Sequence, residues 1–402
     1  MTMKALLACG TAAAILAATG AQAATINLVD EGGVTGSVAE KDFKIAASYW
    51  GHMFTNNVTI NLGVGFGSFG DPRIIGSTQS NQVVYAVQDW EAGINATKSN
   101  STIDQTAVLP TLTPGVFGTG AVSAVLNGTN ASGTTSTAVG DQEYAQGSEA
   151  SEEFLSLNTS IVKAIGGATD PTQLDGLVQF SSDFAFDFDP TNGISANHMD
   201  FLGVAIHEIG HALGFVSGTD LYDVYGSPNG PGAGMYNINN YAVLSALDMF
   251  RYSNNPNGVA PGTGPVLDET VGTNSYFSID GGQTQMFGNS LFSTGTYNGD
   301  GNQTSHWVDS NTCNGFNQLG IMDPTFCYGE TGVVKGLDLA AMDVIGWNLS
   351  QPAREGYARS TASIYAANGT VPEPASWALM LGGFGLVGAA MRRRPRTAIS
   401  FG

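Results

Sequence analysis

The stretch DFLGVAIHEIGHALGF, residues 200–215, decides how the rest of the chain is interpreted. Its two histidines, His207 and His211, are four residues apart, so on an α-helix both imidazoles lie on one face, about 6 Å apart along the axis. Two ring nitrogens at that spacing can reach one metal ion. Glu208 lies beside the same face, where its carboxylate can act as the general base for a metal-bound water without displacing a ligand.

The residues around this H-E-x-x-H pattern predict a buried helix. Apolar side chains lie on nearly every side of it, as expected of an element inside the protein. We expect Asn197 to cap its N-terminus, with Asp200 three residues later at the positive end of the helix dipole. Gly214 can end the helix by adopting a left-handed conformation. A chance match on a structural helix is disfavoured, because two histidines and a glutamate would be desolvated without benefit.

A catalytic zinc site needs three protein ligands and one open position, so a third ligand must come from elsewhere. The chain has five histidines. His198 lies nine residues before His207, on the opposite side of a continuous helix and about 13 Å away. His52 falls in an earlier predicted helix, beside a tryptophan, which suits a packed or surface residue. His306 remains as the expected third ligand.

The first 23 residues have the three parts of a secretory signal peptide. Lys4 precedes an apolar run at residues 5–18, and Ala21-Gln22-Ala23 forms a small-residue cleavage site. We therefore expect residues 1–23 to be removed and the protein to be exported.

A second targeting signal is predicted at residues 371–396. Val371-Pro372-Glu373-Pro374 precedes an apolar run at 375–390 and an arginine cluster. A helix over that run reaches about 24 Å, short of a bilayer core about 30 Å thick, which predicts a transient anchor. The order of these parts closely resembles the PEP-CTERM sorting signal of Gram-negative bacteria. The resemblance implies an exosortase-type partner and a final location at the cell surface or in the extracellular matrix; a plain C-terminal anchor is the alternative.

Residues 24–350, between the two signals, are strongly acidic. They contain 7 basic and 32 acidic residues, a net charge of −25. Such a surface argues against binding nucleic acid or an anionic membrane. Several acids cluster, as at Asp183, Asp187 and Asp189. They are either solvated charge or oxygen ligands for Ca²⁺, although no stretch matches an EF-hand loop.

The mature chain is predicted to keep two cysteines, Cys313 and Cys327, because Cys9 leaves with the signal peptide. An even pair in an oxidising compartment predicts a disulfide. With no other cysteine present, latency through a prosegment thiol on the metal is excluded.

The order of the predicted elements indicates an α+β fold, a sheet covered by helices. Helical spacing of apolar residues predicts further helices at 42–54 and 148–165. Alternating apolar residues predict strands at 58–64 and 177–188. Residues 118–140 contain mainly Gly, Ser, Thr, Ala and Asn, and we expect them to form an exposed insertion.

The pattern H-E-x-x-H-x-x-G-F, followed later by a glycine-led methionine turn, resembles the metzincin metalloproteases. In most of them the third histidine comes ten residues after the first, but that position here holds Ser217. Leishmanolysin-like enzymes share this departure, because an inserted segment separates the glycine from a later histidine that lies shortly before the methionine. His306 and Met322 match that arrangement, and a helix predicted at 336–346 resembles the metzincin C-terminal helix.

The resemblance implies a metzincin-like fold with a mixed, twisted sheet and helices. The active-site helix would lie between an N-terminal subdomain, residues 24–215, and a less regular C-terminal subdomain, residues 216–350. Residues 351–370 are then expected to be a linker to the sorting signal.

The implied activity is zinc-assisted hydrolysis of peptide bonds in a protein or peptide substrate. His207, His211 and His306 would leave one coordination position for water, and Glu208 would pass the proton of that water to the leaving amine. Met322 would pack beneath the metal and bind nothing. Two other classes stay open: a non-catalytic matrix or adhesion protein that keeps the metal helix for structure, and a zinc hydrolase of non-peptide bonds. The intact Glu208 disfavours the first, because a structural site has no use for a base.

Overall fold

The structure is a computed structural model that describes residues 24–70, 75–128, 142–310 and 317–369. The described α-helices are α1 (Glu40–Met53), α2 (Val87–Thr97), α3 (Thr102–Thr106), α4 (Ala150–Glu153), α5 (Thr159–Ala164), α6 (Phe201–Ala212), α7 (Thr219–Tyr225), α8 (Gly336–Ile345) and α9 (Thr361–Gly369). Short 3₁₀ turns cover Pro190–Asn192, Ile238–Asn240, Asp248–Phe250 and Met286–Gly288. The predicted signal peptide, the predicted sorting signal and Cys313 lie outside the described residues.

The strands belong to several sheets, so the protein has the expected α+β character. They are β1 (Thr25–Gly32), β2 (Thr59–Gly67), β3 (Gly76–Ser80), β4 (Gln82–Ala86), β5 (Thr113–Pro114), β6 (Gly120–Ala121), β7 (Ser123–Asn127), β8 (Gln142–Gln146), β9 (Phe154–Asn158), β10 (Gly176–Ser181), β11 (Phe186–Asp187), β12 (Met199–Asp200), β13 (Arg251–Ser253), β14 (Val266–Asp268), β15 (Tyr276–Phe277), β16 (Val333–Lys335) and β17 (Ala358–Ser360).

A four-stranded mixed sheet supports the H-E-x-x-H helix. Its order is β1-β2-β10-β3, with β1, β2 and β10 parallel and β3 antiparallel at the edge. Helix α1, predicted at 42–54, connects β1 to β2 and packs against α6. The indole N–H of buried Trp50 in α1 donates to the carbonyl of Ile206 in α6, at 2.9 Å. The predicted helix α1 and strand β2 are thus confirmed, and α1 helps to fix α6 on the sheet.

An aromatic cluster fixes the start of α6. The ring of Phe201, the first helical residue, lies 4.9–5.3 Å from the rings of Phe43, Phe180, Phe186 and Phe188. Three of these four rings come from the segment predicted as one strand over 177–188. The structure differs there, because β10 ends at Ser181 and a turn separates it from β11. That turn lets these phenylalanines surround one ring instead of lining one face of a sheet.

Helix α6 begins at Phe201, and its cap is Asp200, not Asn197 as predicted. The carboxylate of Asp200 accepts from the N–H of Gly203 at 3.0 Å. The chain is still extended just before, because β12 pairs with β11, so Asn197 lies too far upstream to cap. At the other end, Gly214 has φ +112°, a backbone region that favours glycine, and the predicted end of the helix is confirmed.

The helix predicted at 148–165 is wrong, because a strand interrupts it. Strand β9 lies between α4 and α5 and pairs antiparallel with β4, a partner more than 65 residues earlier. Leu155 and Leu157 alternate on its buried face, although the same residues also fit a helical stripe. The break has a structural role. Asn158 at its end donates to the carbonyl of His211 at 3.2 Å, and Ser160 donates to that of Ala212 at 2.9 Å.

The exposed insertion predicted at 118–140 is wrong for its first part. Strand β7 is buried within a five-stranded sheet of order β15-β13-β14-β7-β8. One neighbour, β14, comes more than 140 residues later in the sequence, so the composition of β7 does not reveal it. The other, β8, is the next strand along the chain. Residues 129–141 lie outside the described part of the chain.

The linker expected at residues 351–370 is described up to residue 369, and this part instead contributes to the folded body. Strand β17 pairs with β16, and α9 packs on α1 with Ile364 buried. The ammonium of Lys41 donates to the hydroxyl of Tyr365 at 2.5 Å, and Thr361 donates to the carboxylate of Asp200. Among the described residues, no helix has the length and apolar character needed to cross a membrane. The anchor predicted at 375–390 lies outside them.

Candidate metal centre

The structure brings together the three histidines predicted as ligands. The Nε2 atom of His211 lies 3.1 Å from that of His207 and 3.2 Å from that of His306, and the latter two are 3.2 Å apart. All three side chains are buried. His207 and His211 come from successive turns of α6, whereas His306 comes from a loop 95 residues beyond His211. In the described part of the chain, these three side chains form the only group of three metal-ligand residues.

The opposite nitrogen of each ring contacts a backbone carbonyl. The Nδ1 atom of His207 lies 2.7 Å from the carbonyl of Ile321, and that of His211 lies 2.6 Å from the carbonyl of Phe215. The Nδ1 atom of His306 lies 3.1 Å from the carbonyl of Gln303. Because a carbonyl only accepts, each Nδ1 carries the proton, and each Nε2 turns a lone pair towards the other two.

Three converging lone pairs repel one another unless a cation lies between them, so this donor set fits a metal ion. Burial lowers the pKa of His207 and of His211 to about 4, and that of His306 well below its usual value, which keeps all three rings neutral. With zinc–nitrogen distances of about 2.0–2.1 Å, separations of 3.1–3.2 Å correspond to angles of about 100° at the metal, close to tetrahedral. The residues therefore fit zinc.

Glu208 lies beside the histidines and contacts the edge strand of the sheet. Its Oε2 lies 2.7 Å from the hydroxyl oxygen of Thr78 in β3, whose hydroxyl also lies 2.9 Å from the Glu208 carbonyl. The Oε1 atom is near Gly76, where an added Cβ would meet it at 3.2 Å. Burial raises the pKa of Glu208, and the hydrogen bond from Thr78 opposes that effect. Sequence reasoning missed Thr78, because only the pairing of β3 brings it here.

Met322 is fully buried against the turn of α6 that separates the two helical histidines. A Cβ added at Gly210 would meet its sulfur at 2.8 Å, so only glycine allows this approach. The Met322 carbonyl accepts from the N–H of Trp307, the residue after His306, at 3.0 Å. The methionine thus packs against the helix and adjoins both histidine-bearing segments.

A buried carboxylate in α8 joins the loops that carry and orient the ligands. Asp338 accepts from the indole N–H of Trp307 at 2.9 Å, and from the N–H groups of Ile321 at 2.9 Å and Met322 at 3.3 Å. Burial raises its pKa to about 6, and these hydrogen bonds oppose the rise. One side chain therefore fixes the residue after His306 and the carbonyl that orients His207.

Two of the three histidines, His211 and His306, line a cleft of about 740 Å³ between β3 and the segment that follows α6. Uncharged polar side chains predominate in its lining: Ser77, Thr78, Gln79, Ser80, Gln82, Ser217, Ser245, Gln303 and Ser305. Two acidic residues also line it, Glu208 and Asp220.

The remaining residues considered from the sequence lie elsewhere. His52 is exposed on α1 and contacts Ser48, and His198 is half-buried before β12, outside the group of three histidines. Asp187 accepts from the N–H and hydroxyl of Ser195, within its own loop. Calcium binding at the acidic clusters stays a prediction. Cys327 is disulfide-bonded, and Cys313, its predicted partner, lies outside the described residues.

Comparison with known families assigns one segment of the chain. The PEP-CTERM protein-sorting motif matches residues 370–394. The protein is therefore exported in a Gram-negative bacterium and recognised there by an exosortase-type sorting enzyme. Comparisons with curated proteins and with solved structures found no match for the chain.

Proposed function

We propose that this exported protein is a zinc-dependent endopeptidase of the metzincin type, similar to the leishmanolysin-like branch. The observation that supports the proposal most directly is that the Nε2 atoms of the three histidines lie within 3.2 Å of one another. The Nδ1 atom of each ring is hydrogen-bonded to a backbone carbonyl. A carboxylate beside them, in an open cleft, is what a hydrolytic site needs and a structural site does not.

The ligands of the proposed site are His207, His211 and His306. Bound zinc would supply a Lewis acid that activates water and polarises the scissile carbonyl. The three rings are neutral and are oriented by backbone carbonyls, so the protein holds them ready for a cation without further rearrangement.

Glu208 is the proposed general base. Its Oε2 accepts a hydrogen bond from Thr78, which leaves Oε1, beside Gly76, as the atom that takes the proton of the attacking water. The same atom then gives the proton to the leaving amine. Burial raises the pKa of this carboxyl, which makes it a stronger base than an exposed glutamate.

An extended peptide is the substrate shape that the cleft favours. Strand β3 forms the edge of its sheet, and in the described part of the chain no strand pairs with its outer side. An extended chain laid along such an edge pairs with the free N–H and C=O groups and brings a peptide bond past the histidines. Residues 76–80 and 82 line the cleft, consistent with this direction.

Metal removal and restoration test the proposal. Elemental analysis of the exported protein should give one zinc per chain, and a quenched fluorescent peptide library should be cleaved. A chelator should abolish cleavage, and added zinc should restore it. Cleavage that survives removal of the metal, or a zinc-loaded protein that hydrolyses esters but no peptide, would contradict the proposal.

A further inference from the structure

We infer that Asp220 is a positioning residue that fixes the loop carrying His306, and so determines where the third ligand lies. The inference rests on the proposed metal site and deepens it. Asp220 lies in α7, just after the H-E-x-x-H helix, and it lines the same cleft. It is not one of the three side chains that converge at the metal centre.

The carboxylate of Asp220 accepts hydrogen bonds from the two residues that precede His306. Its Oδ1 lies 2.6 Å from the nitrogen and 2.9 Å from the hydroxyl oxygen of Thr304. Its Oδ2 lies 3.3 Å from the nitrogen of Ser305 and also accepts from the Ser305 hydroxyl. Four donors from two consecutive residues hold the backbone at both positions, so the direction in which the next side chain leaves the loop is defined.

The opposite side of the same loop is also held. The guanidinium of Arg251, which is fully buried, lies 3.3 Å from the Thr304 carbonyl and 3.0 Å from the Ser293 carbonyl. The carbonyl of His306 accepts from the N–H of Ser293 at 3.0 Å. Asp220 is therefore the cleft-side half of a clamp in which Arg251 forms the inner half.

The sequence separation explains why such a clamp is needed. Asp220 and Thr304 are 84 residues apart, at the two ends of the segment inserted between α6 and His306. A ligand at the end of so long a segment has no local constraint on its position, unlike His207 and His211 on one helix. The N–H of Ser217 also donates to the Ser305 hydroxyl at 2.8 Å, and this bond joins the two ends of the inserted segment.

A matched control exists on the same helix. Asp223, one turn after Asp220, accepts from the N–H of Tyr297 at 2.8 Å, and from the N–H and side-chain amide of Asn298 at 3.1 and 3.0 Å. It fixes a different loop of the same segment and does not line the cleft. Asp223→Ala therefore removes a comparable set of hydrogen bonds without releasing the His306 loop.

The test is the zinc affinity of the full chain, measured by competition with a chromogenic chelator. Asp220→Ala should weaken zinc binding about 10–100-fold, the usual effect of removing a residue that orients metal ligands. Asp223→Ala should keep the wild-type zinc affinity, although both variants lower the melting temperature. Asp220→Asn, which keeps the volume and one acceptor oxygen, should weaken binding by an intermediate factor and serves if the alanine variant does not fold. The absorption spectrum of the Co²⁺-substituted Asp220 variants should also change, because the third nitrogen shifts.

Unchanged zinc affinity in both Asp220 variants would overturn the inference, as would an equal loss in Asp223→Ala. The proposed function fails separately. A wild-type protein that binds zinc but cleaves no peptide would refute the protease and leave the role of Asp220 intact, whereas wild-type protein without stoichiometric zinc would refute the metal centre itself.

Discussion

The hydroxyl of Thr78 lies 2.7 Å from Oε2 of Glu208, so the edge strand of the mixed sheet holds the proposed general base. The two residues are 130 positions apart in sequence. The strand that would pair with a peptide substrate is therefore the strand that orients the carboxylate for chemistry. In the proposed protease, one short strand would thus both bind the substrate and hold the base in position.

Replacing Thr78 by Val should lower kcat by about tenfold, because loss of the hydrogen bond frees Glu208 to rotate away from the attacking water. Zinc content should not change, since no ligand is touched. Thr78→Ser keeps the hydroxyl and should restore most of the activity. Steady-state kinetics on a fluorescent peptide measures both, and equal kcat values for the wild type and the valine variant would contradict the role of Thr78.

Glu208→Gln should reduce proteolysis by at least about 100-fold, because the amide cannot take a proton from water. The three histidines stay in place, so zinc should remain near one per chain. Activity and elemental analysis on the same preparation separate loss of the base from loss of the metal. A glutamine variant with wild-type activity would rule out Glu208 as the base.

His306→Ala should lose zinc and activity together, because two imidazoles alone hold zinc weakly and leave its geometry undefined. His198→Ala and His52→Ala are the controls, since neither residue belongs to the group of three. Both control variants should bind stoichiometric zinc when folded. Full zinc occupancy in the His306 variant would show that another residue supplies the third ligand.

Thr361→Val should lower the free energy of unfolding by about 1–3 kcal/mol, because the buried carboxylate of Asp200 loses one of its donors. The N–H groups of Gly203 and Gly332 remain on Asp200, so the variant should still fold. Denaturant unfolding measures the change, and Thr361→Ser should have little effect. No change in the valine variant would mean that α9 does not support the cap of α6.

Asp42 should make the protein less stable as the pH rises from about 4 to about 8. Burial, followed by the nearby Asp200, raises its pKa in the folded protein to about 8, although Lys41 opposes the rise. Among the described residues, neither oxygen of its carboxylate has a hydrogen-bond partner. Between these pH values the folded protein holds a proton on Asp42 that the unfolded chain has already released. The free energy of unfolding is therefore highest below the pKa that Asp42 has in the unfolded chain, and it falls until the pH passes the pKa of Asp42 in the folded protein.

The measurement is the difference between Asp42→Asn and the wild type across that range. The asparagine variant should gain relative stability by up to about 1.4 kcal/mol for each pH unit between 5 and 8. The other charges that act on Asp42, those of Asp187 and Asp189, are common to both proteins and largely cancel in the difference. A difference that does not vary with pH would show that Asp42 titrates normally.

Local patterns in the sequence predict much of the candidate site. The spacing of His207 and His211 and the position of Glu208 follow from one helical stretch, and Gly214 ends that helix as expected. His306 was reached by elimination among five histidines and by resemblance, not by any local constraint. The structure brings its Nε2 to 3.2 Å from the others.

The features that were not predicted depend on contacts between distant residues. The sequence of β9 fits a helix equally well, and only its pairing with β4 makes it a strand. Strand β7 has too few large side chains to indicate a buried strand. The carbonyl of Ile321 lies more than 100 residues from His207, whose ring it orients. The carboxylate of Asp338 lies about 30 residues from Trp307, the neighbour of His306 that it fixes. Such partners leave no periodic signal in the sequence.

The docked helix α9 bears on how far the proposed protease could reach if it is attached through its sorting motif. Helix α9 ends at Gly369, and the sorting motif begins at residue 370. The helix and the motif are therefore adjacent in sequence, with no linker residues between them. From Gly369 to Pro374, a fully extended chain spans at most about 18 Å. A folded body attached through the motif would therefore stay within that distance of its point of attachment. Only substrates that pass close to the attachment surface would come within range of its cleft.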